Sequence, residues 1–96
     1  MLHQVTIQTN NIQRFKPLLE SALEREAKLL DHAIERTRKA LAPFEEHYNM
    51  TTDEFERKFK ARKIEETLDY LDWWMEVEAL RHLEAQRQSL KEAKLD

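Results

Sequence analysis

The chain has 96 residues, with 16 Lys or Arg against 19 Asp or Glu for a formal net charge of −3, and it holds no Gly, no Cys and two Pro. Such a length supports one modest core, which predicts a single domain over residues 1–96. Phosphate-cradling loops, nucleophile elbows and dinucleotide turns rely on glycine for positive φ or close backbone approach, and disulfides and thiolate metal sites need cysteine, so composition disfavours all of them. The expectation is a non-enzymatic helical binding protein without a cofactor. Nothing approaches the run of about 18 apolar residues that a membrane span requires. The opening residues, with His3, Gln4 and Thr6, show neither a basic start nor an apolar stretch, and this predicts a cytoplasmic location.

Residues 4–9 alternate polar with β-branched apolar side chains (Gln4, Val5, Thr6, Ile7, Gln8, Thr9), the period of a half-buried strand. A lone strand needs a neighbour, so this one is expected to lie on the helices or to pair with its copy in a homodimer. Asn10 and Asn11 suit a turn, and Pro17 suits the first turn of a helix.

A long helix is predicted over residues 16–48. Leu23, Ala27, Leu30, Ile34, Leu41, Phe44 and Tyr48, with Thr37 in phase, recur at alternating steps of four and three. Leu19, Ala22, Leu29, Ala33 and Ala40 widen that stripe beyond one helix contact, which predicts more than one neighbour. Pro43 is expected to kink this helix without ending it, because Phe44 and Tyr48 keep the phase.

Asn49 can take the left-handed position that closes a helix. Thr51 and Glu54 form a T-x-x-E capping box, with Met50 and Phe55 spaced as a hydrophobic staple, so a second helix is predicted over residues 52–60. Its phase fails at Arg62, Lys63 and Glu66, which predicts a break within residues 61–67. A third helix is predicted over residues 68–93. Leu68, Leu71, Met75, Ala79, Leu83, Leu90 and Ala93 share one face, expected to meet the core, while Tyr70, Trp73, Trp74, Val77 and Leu80 lie opposite. The predicted architecture is all-α: a long helical hairpin or small bundle of about three helices with one short N-terminal β-strand.

Charge is uneven along the chain. Within residues 57–63, Arg57, Lys58, Lys60, Arg62 and Lys63 are basic; within residues 65–78, Glu65, Glu66, Asp69, Asp72, Glu76 and Glu78 are acidic and no base intervenes. Acids near a helix start complement its dipole, but two or three suffice. Six, interleaved with aromatics, suit a surface that meets a basic partner, since buried aromatics supply affinity and surrounding charge supplies steering. The expected partner-binding residues are Tyr70, Asp72, Trp73, Trp74, Glu76, Val77 and Leu80. A second possibility is nucleic acid. Gln4, Thr6 and Gln8 on a strand pair would point into a major groove, or the basic block would contact phosphate; otherwise that block is a solvated loop. His3, His32, His47 and His82 form neither H-E-x-x-H nor E-x-x-H, so no metal site is predicted.

The stretch Phe44-Glu45-Glu46-His47-Tyr48-Asn49-Met50-Thr51-Thr52-Asp53-Glu54-Phe55, followed by Phe59 and by Leu71-Asp72-Trp73-Trp74, resembles small helical proteins that read F-E-x-x-Y-G-M-[ST]-x-x-x-F…F…(D)-x-x-x-W. Pro17-Leu18-Leu19-Glu20 is similar too, so the resemblance covers roughly residues 15–80. Asn49 stands where those proteins carry Gly, and the basic, Gly-free stretch 61–66 stands where they carry a Gly-containing turn. Proteins of this kind are antitoxin components of prokaryotic toxin–antitoxin pairs, TumA-like. The resemblance implies a chain that binds and neutralises a cognate toxin, a nuclease being one candidate, with operator DNA as a further partner.

Overall fold

The computed structural model describes residues 6–93. Three helices follow in order: α1 (Ile12–Tyr48), α2 (Thr52–Lys60) and α3 (Leu68–Glu92). The all-α expectation holds, but among the described residues there is no strand. Residues 6–9 are exposed coil, and Gln4 and Val5 lie outside the described residues. A period-two pattern becomes a strand only where a second strand offers hydrogen bonds, and three helices offer none.

The first helix starts four residues earlier than its periodicity suggests, because Asn11 is a cap and not a turn residue. Its Oδ1 accepts from the Arg14 N–H at 3.2 Å, satisfying one of the donors that every helix start leaves open. Pro17 consequently lies in the second turn, where it deprives the Gln13 carbonyl of its partner. The helix runs through Pro43 as expected and ends at Asn49, whose φ of 48° is left-handed. Asparagine tolerates that conformation better than other side chains, and the Met50 N–H closes the end on the Glu45 carbonyl at 3.2 Å.

The threonine half of the predicted capping box forms at the junction between α1 and α2, while the Glu54 carboxylate turns to Lys58 at 3.0 Å and Glu45 of α1 takes the adjacent amide. Thr51 Oγ1 accepts from the Glu54 N–H at 3.1 Å, and Glu45 Oε2 accepts from the Thr52 N–H at 2.7 Å. Met50 packs on the core cluster that contains Phe55, as a staple requires. Thr51→Ala should therefore lower stability by about 1 kcal/mol, read as a lower melting temperature; an unchanged melting curve would show that the Thr51 hydroxyl does not hold the start of α2.

The predicted break over residues 61–67 is present and has a specific form. Arg62 takes φ 56°, the Arg62 N–H donates to the Phe59 carbonyl at 3.1 Å and the Lys63 N–H to the Lys58 carbonyl at 2.9 Å. That is the paired closure of a Schellman motif, made without glycine at a left-handed position. Thr67 then caps α3, its hydroxyl accepting from the Tyr70 N–H at 3.1 Å.

Helices α1 and α3 run antiparallel, since Tyr48 reaches Asp69, Arg38 reaches Glu84 and Asp31 reaches Arg87. Leu41 on α1, Phe55 on α2 and Trp73, Val77 and Leu80 on α3 form the buried cluster. The short α2 closes one end of this hairpin. Its 37 residues make α1 about 55 Å long, matching the 57 Å long axis of the molecule. The 25 residues of α3 span only about 37 Å, so the N-terminal part of α1 extends beyond it. The second neighbour expected for α1 is not supplied by α3: Leu29 is 57% exposed, and Ala22 and Ala40 are exposed as well.

Candidate protein-binding surface

The helical period gives α3 two apolar faces, and packing assigns them in the opposite sense to the sequence reading. Trp73 and Val77 are 0% exposed and Leu80 is 5% exposed, whereas Leu68 and Met75 are 81% and 68% exposed. The reason is aromatic. Trp73 stacks on Phe55 with ring centroids 3.9 Å apart and planes 2° apart, and it also faces Phe44 at 5.7 Å and Tyr48 at 6.1 Å. Its indole Nε1–H donates to the buried Thr52 hydroxyl at 3.3 Å. Large rings bury the most apolar area, and the indole N–H finds a partner there. The face bearing Leu68, Leu71 and Met75 has no comparable partner and turns outward. Trp73, Val77 and Leu80 are thus core residues, closed to a partner in the folded chain.

The other expected binding residues lie at the surface or its edge. Asp72 is exposed, and Tyr70, Trp74 and Glu76 are half-buried. Trp74 stacks on Phe59 at 4.8 Å, with Lys60 Nζ 5.9 Å from its ring centroid. At 100° per residue, Leu68, Leu71 and Met75 form the outward ridge of α3, with Asp72 and Glu76 along one flank and Trp74 and Glu78 along the other. Glu65 and Glu66 stand just before the helix. Among the described residues, Glu65, Glu66, Asp72, Glu76 and Glu78 make no ion pair. The ridge continues into a shallow open groove lined by Tyr48, Ile64, Leu68 and Tyr70.

Asp69 is the acid of the block that is occupied. It accepts a hydrogen bond from the Tyr48 hydroxyl, and this bond, with partial burial and the carboxylate charge adding to it, pushes the Tyr48 pKa up to about 12. The neutral phenol therefore stabilises the fold fully below the ordinary tyrosine value, and that contribution is lost as pH rises toward 12. In a phenolate absorbance titration, one of the two tyrosines should ionise late, and Tyr48→Phe should remove that late component. Two tyrosines ionising together near the ordinary value of about 10 would contradict the Tyr48–Asp69 bond.

Sequence periodicity also missed the polar hub between α3 and α2. Arg81 Nε and Nη2 grip Glu56 at 3.4 and 3.0 Å, Nη2 reaches Asp53 at 2.9 Å and Nη1 reaches Glu84 at 2.8 Å. Glu84 in turn takes Arg38 at 3.3 Å, so one network joins all three helices. Hydrogen bonds from Arg81, with the positive charges of Arg81 and Lys60, hold the Glu56 carboxyl below its usual range despite its burial. The same carboxylates hold the Arg81 guanidinium firmly in its charged form. Only the Arg81 to Glu84 spacing of three was legible beforehand.

The basic block is partly spent within the chain. Lys58 pairs with Glu54 at 3.0 Å, Lys60 pairs with Glu56 at 3.5 Å, and Arg62 occupies the left-handed closing position. Arg57 and Lys63 remain exposed. Thr6 and Gln8 are exposed on coil and not on a strand, and Gln4 lies outside the described residues. Among the described residues no group of three or more His, Cys, Asp or Glu could hold a metal ion, and no helix is long and apolar enough to cross a membrane. No family model, no curated protein and no solved structure matches this chain.

Proposed function

We propose that this chain is a non-catalytic binding protein whose α3 ridge grips a basic protein partner, and that the partner is a toxin which it neutralises. The observation that carries the reading is the exposure of Leu68, Leu71 and Met75 on one face of a helix whose flanks carry Asp72, Glu76 and Glu78. Three neighbouring large apolar side chains left in water favour a contact that covers them, and rim acids speed the encounter with a basic surface. The toxin as partner comes from the resemblance of residues 44–74 to antitoxin components. A basic surface on that toxin, such as a nuclease's phosphate-binding face, would be occluded by this ridge. The nucleic-acid reading is weaker, because Lys58 and Lys60 already hold glutamates of α2.

The test expresses the adjacent reading frame with and without this chain and scores growth, then measures binding of the two purified products. Rescue of growth is expected. Met75→Asp, which sits outside the core, should weaken binding by about 2 kcal/mol or more, whereas Asp72→Lys should chiefly slow association and alter its salt dependence. An adjacent product that is harmless, or that binds Met75→Asp as well as the parent, would overturn the proposal.

A further inference from the structure

The stripe by which α1 meets α3 does not stop where α3 stops. Glu92 ends α3 five residues beyond Arg87, which pairs with Asp31 at 2.8 Å, so in an antiparallel hairpin Glu92 comes abreast of Glu26. From there back to Ile12 no other helix of the described residues runs beside α1, yet Ile12, Phe15, Leu19 and Leu23 continue the phase of Leu30, Ile34 and Leu41 at steps of three and four. Leu30 and Leu41 are buried, whereas Phe15, Leu19 and Leu23 are half-buried, Ile12 is 58% exposed and Leu18 beside the stripe is 67% exposed. This arm is about 22 Å of helix with an apolar seam that no other described helix covers. Isolated helices of that length are marginal in water, so the arm gains by being covered.

We infer that the cover is the same arm of a second copy, laid antiparallel about a two-fold axis at Leu19. Three features of the arm select that occupant. The first is length: an antiparallel copy spans residues 12–26 from the other direction, so its start meets the end of α3 and takes over the seam where α3 leaves it. A parallel copy would bring its own α3 into the space that α3 already fills. The second is register, which sets Leu19 against its counterpart and Phe15 against Leu23 of the second copy at the apolar centre, with Ile12 abreast of the exposed Glu26 at each end. The third is charge. Lys16 and Glu20 lie on the same flank of the seam, and flanks of one kind face each other in an antiparallel pair. Lys16 of each copy therefore meets Glu20 of the other, twice by symmetry. The C-terminal end of α3 also abuts the N-terminal end of the second copy's α1, an arrangement in which the helix dipoles attract. The dimer axis lies at the far end of the molecule from Leu68, Leu71 and Met75, so this assembly leaves the α3 ridge free and does not depend on what the ridge binds.

Light scattering on the purified chain at micromolar concentration should give twice the chain mass. Leu19→Asp should give the monomer mass with the tryptophan emission of the parent, because Leu19 is remote from Trp73. Lys16→Glu should weaken dimerisation at least tenfold, and Lys16→Glu combined with Glu20→Lys should restore it. The chain contains no cysteine, so Leu19→Cys should form an intermolecular disulfide on oxidation, whereas Ile12→Cys should not link to itself. A monomeric parent would overturn the inference, as would Ile12→Cys linking as readily as Leu19→Cys, which is the signature of a parallel pair.

Discussion

Trp73→Ala should lose about 4 kcal/mol of stability, the range for emptying a tryptophan site in a packed core. For a domain of this size, with about 5–15 kcal/mol between folded and unfolded chains, that is a large share. The expectation follows from what surrounds the ring: Phe55 stacked at 3.9 Å, Phe44 at 5.7 Å and the Thr52 hydroxyl on Nε1 at 3.3 Å. Removal leaves a cavity bounded by all three helices and a buried hydroxyl without its donor. Trp73→Phe keeps a ring against Phe55 and forfeits only part of the volume and the hydrogen bond, so it should cost less than half as much. Urea denaturation followed by far-ultraviolet circular dichroism measures both, with Trp74 left as the fluorescent reporter. If Trp73→Ala were as stable as the parent, the three helices would not be joined through this ring, and the outward assignment of Leu68, Leu71 and Met75 would fall with it.

Arg81→Met is the second large effect, expected at about 2 kcal/mol, the scale of hydrogen bonds to charged groups. Arg81 is itself partly exposed, which limits the gain from each pair. The cost concentrates on Glu56, whose side chain is only 17% exposed and which would keep Lys60 as its remaining partner. The substitution should also change the response to acid. Glu56 ionises more easily in the folded chain than in the unfolded one, so its contribution is complete above the ordinary carboxylate range and is lost as pH falls through and below it. Removing Arg81 takes away the main cause of that shift. Melting temperatures from neutral pH into the acid range should therefore fall less steeply for Arg81→Met than for the parent. Parallel curves would mean that Glu56 owes its low pKa to something other than Arg81.

The resemblance to antitoxin components and the α3 ridge bear on each other through residue assignments. Phe44, Tyr48, Phe55 and Trp73, four residues that carry the resemblance, are the aromatic centre of the fold. What the motif records is therefore chiefly how three helices are joined. Under the proposed function, partner choice falls to the exposed ridge at Leu68 and Met75, which the motif does not include, so that two chains could share the same centre and bind different proteins. Loss of binding in Met75→Asp with stability retained would separate these two roles experimentally.

Local order in this chain was legible from local signals. Asn49, Thr51 and Glu54 mark the turn between α1 and α2 because capping depends on side chains within four residues of the backbone groups they satisfy. The failed phase at Arg62 and Lys63 marks the break for the same reason. Asn11 carried an equally local cap, but an asparagine pair reads equally well as a turn, and only the Arg14 N–H on its side chain separates the two. The alternating stretch around Thr6 and Ile7 shows the converse: its pattern suits a strand, and a strand exists only where another strand answers it. Which face of α3 is inside was not local at all. Both faces have the helical period, so periodicity alone could not rank them. Trp73 went inward because Phe44, Tyr48, Phe55 and Thr52, distant in sequence, converge on it, and Leu68, Leu71 and Met75 were left outside because nothing in the chain converges on them. The sequence by itself thus determined three helices, the cap between the first two and the places where the chain turns; the tertiary structure alone decided which apolar surface became core and which remained to be covered, since burial is settled by what arrives from elsewhere in the chain.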